Sequence, residues 1–503
     1  MAVNLGARYI ALAVELLLGL VMLPFNTRHL GASEYGLWML AASIVSYFPL
    51  LDLGYGGTLE RFVAHYRARR DATAINEISS TLLFLFAVTG LVDLAIVGGV
   101  AWNLGTLFNL EPSRAVTGGI VMMLVAIQLA VGLPFSVFGA VSNGFQRTHL
   151  NAAVGTVVAI AVAVVNVVVL MAGGNLITLV GAMTLTRMAG YVAYRLNAYR
   201  VFPLLRIRPS LVSLARLREV TGFSVYVLVQ DISRRVNYAS DPIVIAAVLS
   251  TGAVAVWTVA QRLAEVVLQL TNQFNYVLFP IVVDCDTARR DERLKDLLVQ
   301  GTKLSLATTL PVTGSLALLA HAVVVGWTGP GFAAAATVLQ VLAIVVVLRV
   351  GSQTASTVLM GAGHHRLVAY SNLAAAVANI GLSVILIRTH GLPGVAFATA
   401  LVIGVRAFTV LIPVACARVG ITLRHFIANA LWPVTWPAVI ALGCLMLVRD
   451  TASASLLRAV LHGGVIGLLY WVLFLGVAIR RDERSRYLGK LRNIARRPAL
   501  EAA

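Results

Sequence analysis

Apolar runs of about twenty residues alternate along the chain with short polar breaks. A helix that crosses a bilayer needs roughly 20 mainly apolar residues, since only internal hydrogen bonds can satisfy its backbone there. The runs predict fourteen such helices. Six lie at 9–25, 35–53, 78–102, 116–141, 152–172 and 176–198. Six more lie at 220–249, 253–283, 304–327, 334–360, 367–387 and 395–417, and two at 431–448 and 457–479. Connections such as Gly173-Gly174-Asn175 and Gly329-Pro330-Gly331 are bare turns, so no soluble domain fits between spans. The first run has no signal-peptide cleavage site and reads as a retained helix.

Composition narrows the class further. The 503 residues are 59% hydrophobic and only 12% charged, where a soluble domain carries about a quarter charged residues. A soluble enzyme, a disordered chain and a single-anchor receptor are excluded. The fold expected is an all-α polytopic membrane protein. Its net charge of +18 comes from 39 basic and 21 acidic residues. Basic residues gather in cytoplasmic loops of membrane proteins, so this charge calls for no nucleic acid partner.

The asymmetry also orients the chain. One side holds Arg61, Arg67, Arg69, Arg70, the stretches 195–218 and 289–303, and the tail 480–497. The other side shows only Arg28, Arg114, Arg388, Arg449 and Arg458. Both termini are therefore expected in the cytoplasm. Within the tail, Tyr487, Leu488, Leu491 and Ile494 interleave with arginines. That pattern suits either an interfacial segment on an anionic surface or a plain topology anchor.

The longest polar break, 200–218, is interrupted by Pro203 and Pro209. It divides the chain into an N-terminal lobe at 1–205 and a C-terminal lobe at 206–425, followed by helices thirteen and fourteen at 426–480 and a basic tail at 481–503. At one fixed offset, Leu30, Trp38, Ala41, Gly132, Gly144, Arg147 and Arg187 meet Leu249, Trp257, Ala260, Gly351, Gly363, Arg366 and Arg406. Coincident Trp and Arg at matching depths point to an internal repeat. Six helices per copy is an even number, so the two lobes would be parallel repeats with pseudo-twofold symmetry about the membrane normal.

Ionisable groups inside the bilayer are costly, about 3 kcal/mol for an arginine at the centre, and default to functional candidates. Arg187, Arg234, Arg235, Arg262, Arg349 and Arg406 all fall about 14–23 Å deep, counted along their helices. They form a candidate cationic cavity for an anionic substrate, since arginine binds phosphate bidentately. For each one, structural pairing competes with cavity lining: Arg262 can pair with Glu265, and Asp231 with Arg234 or Arg235. The first half sets Glu15, Asp52 and Asp93 against Arg187, whereas the second sets five arginines against Asp231, Asp241 and Glu265. Glu15, Asp52 and Asp241 are candidates for coupling to Na+ or H+.

Other chemistry is absent from the sequence. There is no GxxxxGK[ST] phosphate loop and no HExxH, and the nine histidines show no metal-ligand spacing. Cys285, Cys416 and Cys444 lie far apart and suggest neither a disulfide framework nor a zinc site. The chain reads as a transporter and not an enzyme, with no cofactor.

A resemblance sharpens that reading. Arg28-His29-Leu30-Gly31 followed by Glu34-Tyr35-Gly36-Leu37-Trp38 resembles the first signature of bacterial polysaccharide-transport flippases, within the multidrug/oligosaccharidyl-lipid/polysaccharide exporter superfamily. Asp52-Leu53-Gly54-Tyr55-Gly56 through Glu60-Arg61-Phe62-Val63 continues the pattern. Asp241 matches a family acid, and the GLPGVAFAT stretch at 391–399, preceded by Asn379, resembles the family's approach to helix twelve. The resemblance implies an inner-membrane flippase for undecaprenyl-pyrophosphate-linked oligosaccharide repeat units of O-antigen or exopolysaccharide. It also implies alternating access and a lipid groove beside helices thirteen and fourteen. Membrane lipids, a polysaccharide polymerase and a chain-length regulator would be its partners. A lipid II flippase and a cation-coupled multidrug exporter of the same superfamily are the alternatives.

Overall fold

A computed structural model describes residues 2–47, 55–221, 240–479 and 483–485. Among these, every regular element is helical and no strand occurs. The principal helices are α1 (Ala2–Val45), α2 (Tyr55–Ala68), α3 (Ala72–Trp102), α4 (Pro112–Gly144), α5 (Thr148–Met171) and α6 (Leu176–Val201). They continue as α7 (Thr251–Thr287), α8 (Asp291–Leu318), α9 (Ala335–Gly361), α10 (His365–Arg406), α11 (Trp432–Leu447) and α12 (Leu456–Leu473).

Ten described helical stretches are long and apolar enough to cross a membrane. An eleventh arises if Asp291–Leu318 and Ala320–Thr328, bent by 75°, count as one broken span. The sequence predicts fourteen, and glycine explains two of the four missing from the ten. Ile10–Val45 runs as one 36-residue stretch, roughly 54 Å of helix against a hydrocarbon core of about 30 Å. Gly31, at φ 75° and ψ 168°, breaks it. The first two predicted spans thus join at a single residue. The same device operates in His365–Arg418, where Gly391 sits at φ 61° and ψ −142°. Only glycine enters this region without a Cβ penalty, which is why these two junctions need no loop. Most of the predicted span 220–249 lies outside the described residues.

Backbone conformation carries the internal repeat more plainly than residue identity does. Positive φ angles occur at Arg70, Asn109, Gln146 and Gly173, and again at Arg289, Gly329, Gly363 and Gly391. Taken in order, the pairs fall at nearly the offset that aligns Trp38 with Trp257. Asn109 and Gln146 in the first copy are matched by Gly329 and Gly363 in the second. A positive φ is therefore kept where the side chain is not, although ψ differs between Asn109 (47°) and Gly329 (169°), and it strains a residue that carries a Cβ.

The chain forms two compact units. Unit one comprises Met1–Val259 with Ala376–Val395, and unit two Ala260–Ala375 with Ala396–Ala503. In unit one α3 packs on α4, α4 on α6, and α6 on α5, which in turn packs on α1. In unit two α8 packs on α9, while α11 and α12 lie against α8 and each other. Gly314 of α8 makes the contact with α11 possible, since a Cβ there would collide with the Leu442 side chain.

Each unit has its own apolar cluster of the same design. Unit one buries Leu59, Val63, Tyr66, Ile75, Ile78 and Val141 among others. Unit two buries Val282, Cys285, Leu294, Leu298 and Leu359. Val63 packs directly onto Gly144, where an added Cβ would lie 2.6 Å from Val63 Cγ1. Val282 packs onto Gly361 in the same way, at 2.5 Å. Close helix approach over a small residue is how membrane helices gain packing without a hydrophobic drive between them.

Candidate functional site: charged groups within the two units

In unit two, α7 carries Arg262 and Glu265 one turn apart, a spacing that puts both on one helix face. Arg262 Nη1 stands 3.8 Å from Glu265 Oε2, and Gln261 Nε2 donates to Glu265 Oε1 at 2.8 Å. Arg349, from α9, also lies within electrostatic reach of Glu265. Two guanidinium groups from two helices thus act on one carboxylate, one in a pair with it and one through its field, leaving one net positive charge. Both members of the Arg262–Glu265 pair keep a quarter or more of their side chain exposed. Such a pair contributes no more than about 1 kcal/mol to stability. Its consequence is positional: the carboxylate keeps the Arg262 guanidinium in the electrostatic neighbourhood of Arg349, two groups of the type that binds anions bidentately.

The other predicted arginines divide. Arg406, half-buried, donates to Asn372 Oδ1 across the Gly391 turn, bridging the two legs of α10. Arg187 is exposed on α6 beside Tyr191, whose hydroxyl donates to the Gln128 carbonyl at 3.1 Å. The lipid-type stripe of this helix is Leu185, Val192 and Leu196, all exposed. At about 100° per residue, Arg187 lies roughly 140–180° from each of them. Its exposure is therefore not on the hydrocarbon-facing side. Arg234, Arg235, Asp231 and Asp52 lie outside the described residues. The structure thus brings Arg262 and Arg349 together, and leaves Arg187 in the other unit.

Among the candidate acids, Glu15 is exposed on α1. Asp241 is the opposite case: it is 6% exposed in unit one and receives a 3.3 Å hydrogen bond from Asn379 Nδ2, itself buried. Ser383, one turn beyond Asn379, is fully buried, and its hydroxyl has no hydrogen-bond partner among the described residues. Among the described residues no group of three His, Cys, Asp or Glu side chains could hold a metal ion.

Two charged arrangements escape a reading of the sequence. Lys303, the last basic residue of the stretch 289–303 that orients the chain, is only 3% exposed. Its ammonium lies 3.0 Å from both Glu483 carboxylate oxygens, and Gln300 Nε2 donates to the same group at 2.7 Å. The start of the tail is thereby tied to α8 through its acid. The signal available was an acid inside Arg480-Arg481-Asp482-Glu483-Arg484.

The second arrangement joins the 200–218 break to unit one. Arg216 Nε donates to Glu77 Oε2 at 2.9 Å. Its Nη1 reaches Glu219 Oε2 at 3.1 Å and the Tyr66 hydroxyl at 3.2 Å. Burial pushes the Tyr66 phenol up to about 12. The hydrogen bond with Tyr66, followed by Arg216, holds the Glu219 carboxyl below its usual range. The hydrogen bond to Glu77 in turn raises the Arg216 guanidinium above its usual value.

Comparison with known proteins places this architecture. The sequence profile of the family described as polysaccharide biosynthesis protein matches residues 6–285. Among solved structures, a lipid II flippase MurJ in an inward closed conformation is similar at 13% identity with a TM-score of 0.72. That alignment covers 95% of this chain and 100% of the other. An inward-facing multidrug resistance transporter of the MATE family, in the MOP superfamily, aligns at 16% identity and a TM-score of 0.66. It covers 82% of this chain and 98% of that one. No curated protein matches the sequence. At these identities the two structures establish a common fold, which is that of membrane transporters.

Proposed function

The chain belongs to the polysaccharide biosynthesis protein family, and from that premise we propose that it is a flippase for undecaprenyl-pyrophosphate-linked oligosaccharide repeat units. It moves them from the cytoplasmic to the periplasmic leaflet of the bacterial inner membrane by alternating access, with both termini in the cytoplasm. The products feed O-antigen or exopolysaccharide assembly, and a polymerase and chain-length regulator act next. It is a transporter and catalyses no bond change.

The observation that carries the reading is the pairing of family membership with the Arg262–Glu265–Arg349 cluster. A pyrophosphate crossing a bilayer needs fixed cations that do not have to be desolvated anew for each cycle. Arg262 and Arg349 supply them, with Arg234 and Arg235 as further ligands and Arg187 and Arg406 as secondary ones. Coupling to Na+ or H+ runs through Asp241. The Asp241 carboxylate, the Asn379 amide beside it and the Ser383 hydroxyl one turn along offer the hard oxygen donors that suit an alkali cation. Glu15 and Asp52 are the secondary candidates. Lipid II is the runner-up substrate, supported by likeness of fold alone.

Mass spectrometry of polyprenyl-linked glycans in cells depleted of the protein tests the proposal. Accumulation of one undecaprenyl-pyrophosphate repeat unit is expected. Accumulation of lipid II with lysis would transfer the assignment to peptidoglycan synthesis, and unchanged lipid pools would defeat both.

A further inference from the structure

The segment that follows α6 is an unusual connection. After a turn at Pro203 and Leu204, residues 205–208 form no helix or strand and alternate in burial, with Arg208 extended. Leu205 is buried and Ile207 packs on the same apolar cluster as Phe202, while Arg206 and Arg208 are exposed. Side chains of α3 hold this backbone in place. Asn76 Nδ2 donates to the Leu204 carbonyl at 3.0 Å, and the Arg206 amide donates to Asn76 Oδ1 at 2.9 Å. Ser80 donates to the Arg206 carbonyl at 3.3 Å and accepts from the Arg208 amide at 3.2 Å. Thr81 accepts from the Ser213 amide at 2.9 Å. Asn76 and Ser80 sit one helical turn apart and grip alternate residues of the segment, so the outward row is fixed in register.

That outward row has a mixed chemistry. Leu204, Val212 and Leu214 are 61%, 49% and 62% exposed, interspersed with Arg206, Arg208 and Arg218. From 195 to 218 there are six arginines and no acid. Arg216 is committed to Glu77 and Glu219, but Arg206 and Arg208 have no ion-pair partner among the described residues. The row begins just past the end of α6, a membrane-crossing helix, which sets it at headgroup depth. Apolar side chains that reach the acyl boundary, beside arginines that lie along it with their charge in the headgroups, are the signature of an interfacial segment.

We propose that residues 202–214 form a lipid-binding strap, whose occupant is the anionic phospholipid of the leaflet where α6 ends. The strap couples the surface charge of that leaflet to the position of α3 through the Asn76, Ser80 and Thr81 bonds. This does not depend on the substrate proposed above.

The test uses the full chain purified in mixed micelles of phosphatidylglycerol and phosphatidylcholine, with retained lipids counted by native mass spectrometry. In Arg206→Gln/Arg208→Gln the preference for phosphatidylglycerol should fall, roughly fivefold for each arginine, while Arg449→Gln/Arg458→Gln leaves it unchanged. An unchanged preference in the first double variant overturns the proposal. So does loss of undecaprenyl phosphate binding with phosphatidylglycerol retention intact, which would make the strap a substrate-capture site. A second measurement needs no charge change: a spin label at Ser210→Cys, in a Cys444→Ser chain reconstituted in the same lipids. Greater collision with oxygen than with a water-soluble nickel chelate supports the strap's seating in the leaflet, and the reverse order refutes it.

Discussion

Unit two carries Arg262, Glu265 and Arg349; in the register that aligns Trp38 with Trp257, unit one carries Ser43, Ser46 and Ala130 at those positions. Around them the scaffold is shared. The Val63–Gly144 contact recurs as Val282–Gly361, and four positive-φ backbone positions recur at nearly the same offset. The local chemistry is not shared. The Ser46 hydroxyl bonds back to the Ser43 carbonyl at 2.7 Å, and Ala130 is buried against Gly90. Packing geometry has thus been kept in both copies, while this charged cluster was placed in one. The repeat supplies a frame, and departures from it mark the chemistry.

The largest expected effect lies at another asymmetry. Lys303 is buried with Glu483 in unit two, and the corresponding position in unit one is Phe84. Removing one member strands the other in a low-dielectric site. Lys303→Met should cost about 3–5 kcal/mol, and Lys303→Met/Glu483→Leu should recover most of it. Thermal unfolding in detergent reads this out; equal losses in the single and double variants would show that the pair is not what holds the tail.

Next comes the charged cluster. Arg262→Gln and Arg349→Gln should each lower substrate affinity about tenfold or more, the worth of a hydrogen bond to a charged group. Unfolding should shift by less than about 1 kcal/mol. Normal polymer output from the double variant, expressed at normal levels, would remove these residues from the site. A large stability loss would instead mark the cluster as structural.

A smaller effect probes the shared frame. Gly144→Ala and Gly361→Ala each force a Cβ into a valine, costing about 1–3 kcal/mol, and the two costs should be similar. A loss at one site only would mean that the two copies no longer pack alike.

The smallest effect is a pH dependence confined to unit one, since unit two has Cys285 at the Tyr66 position. Glu219 is depressed below its ordinary 4.5, so its contribution is present above that value and lost as pH falls through the lower folded value. Tyr66 is raised from 10.0 to about 12, so its contribution is complete below the ordinary value and fades as pH rises through the folded one. Glu219→Gln should flatten the acid limb of a stability profile and Tyr66→Phe the alkaline limb. Limbs that stay unchanged in both variants would leave the Arg216 cluster without a part in stability.

The helical class, the membrane location and the repeat could all be read from the sequence, because they rest on counts of apolar residues and on spacing. Solvent imposes those regularities locally: about twenty apolar residues in a row have one stable arrangement in a bilayer whatever else the chain does. The Arg262–Glu265 pairing was equally accessible, being one turn of one helix. Other features required partners far apart in the chain. Nothing near Gly31 or Gly391 in the sequence says that two spans join there without a loop, since that depends on a single φ angle. Arg349 meets Glu265, Glu483 neutralises Lys303, and Asn76 of α3 fastens a segment beyond α6, only after folding has closed those distances. Sequence determined what each stretch must be in a membrane. Tertiary structure decided which charges are neutralised and which remain available, because a charge's environment is set by neighbours that the chain brings to it from elsewhere.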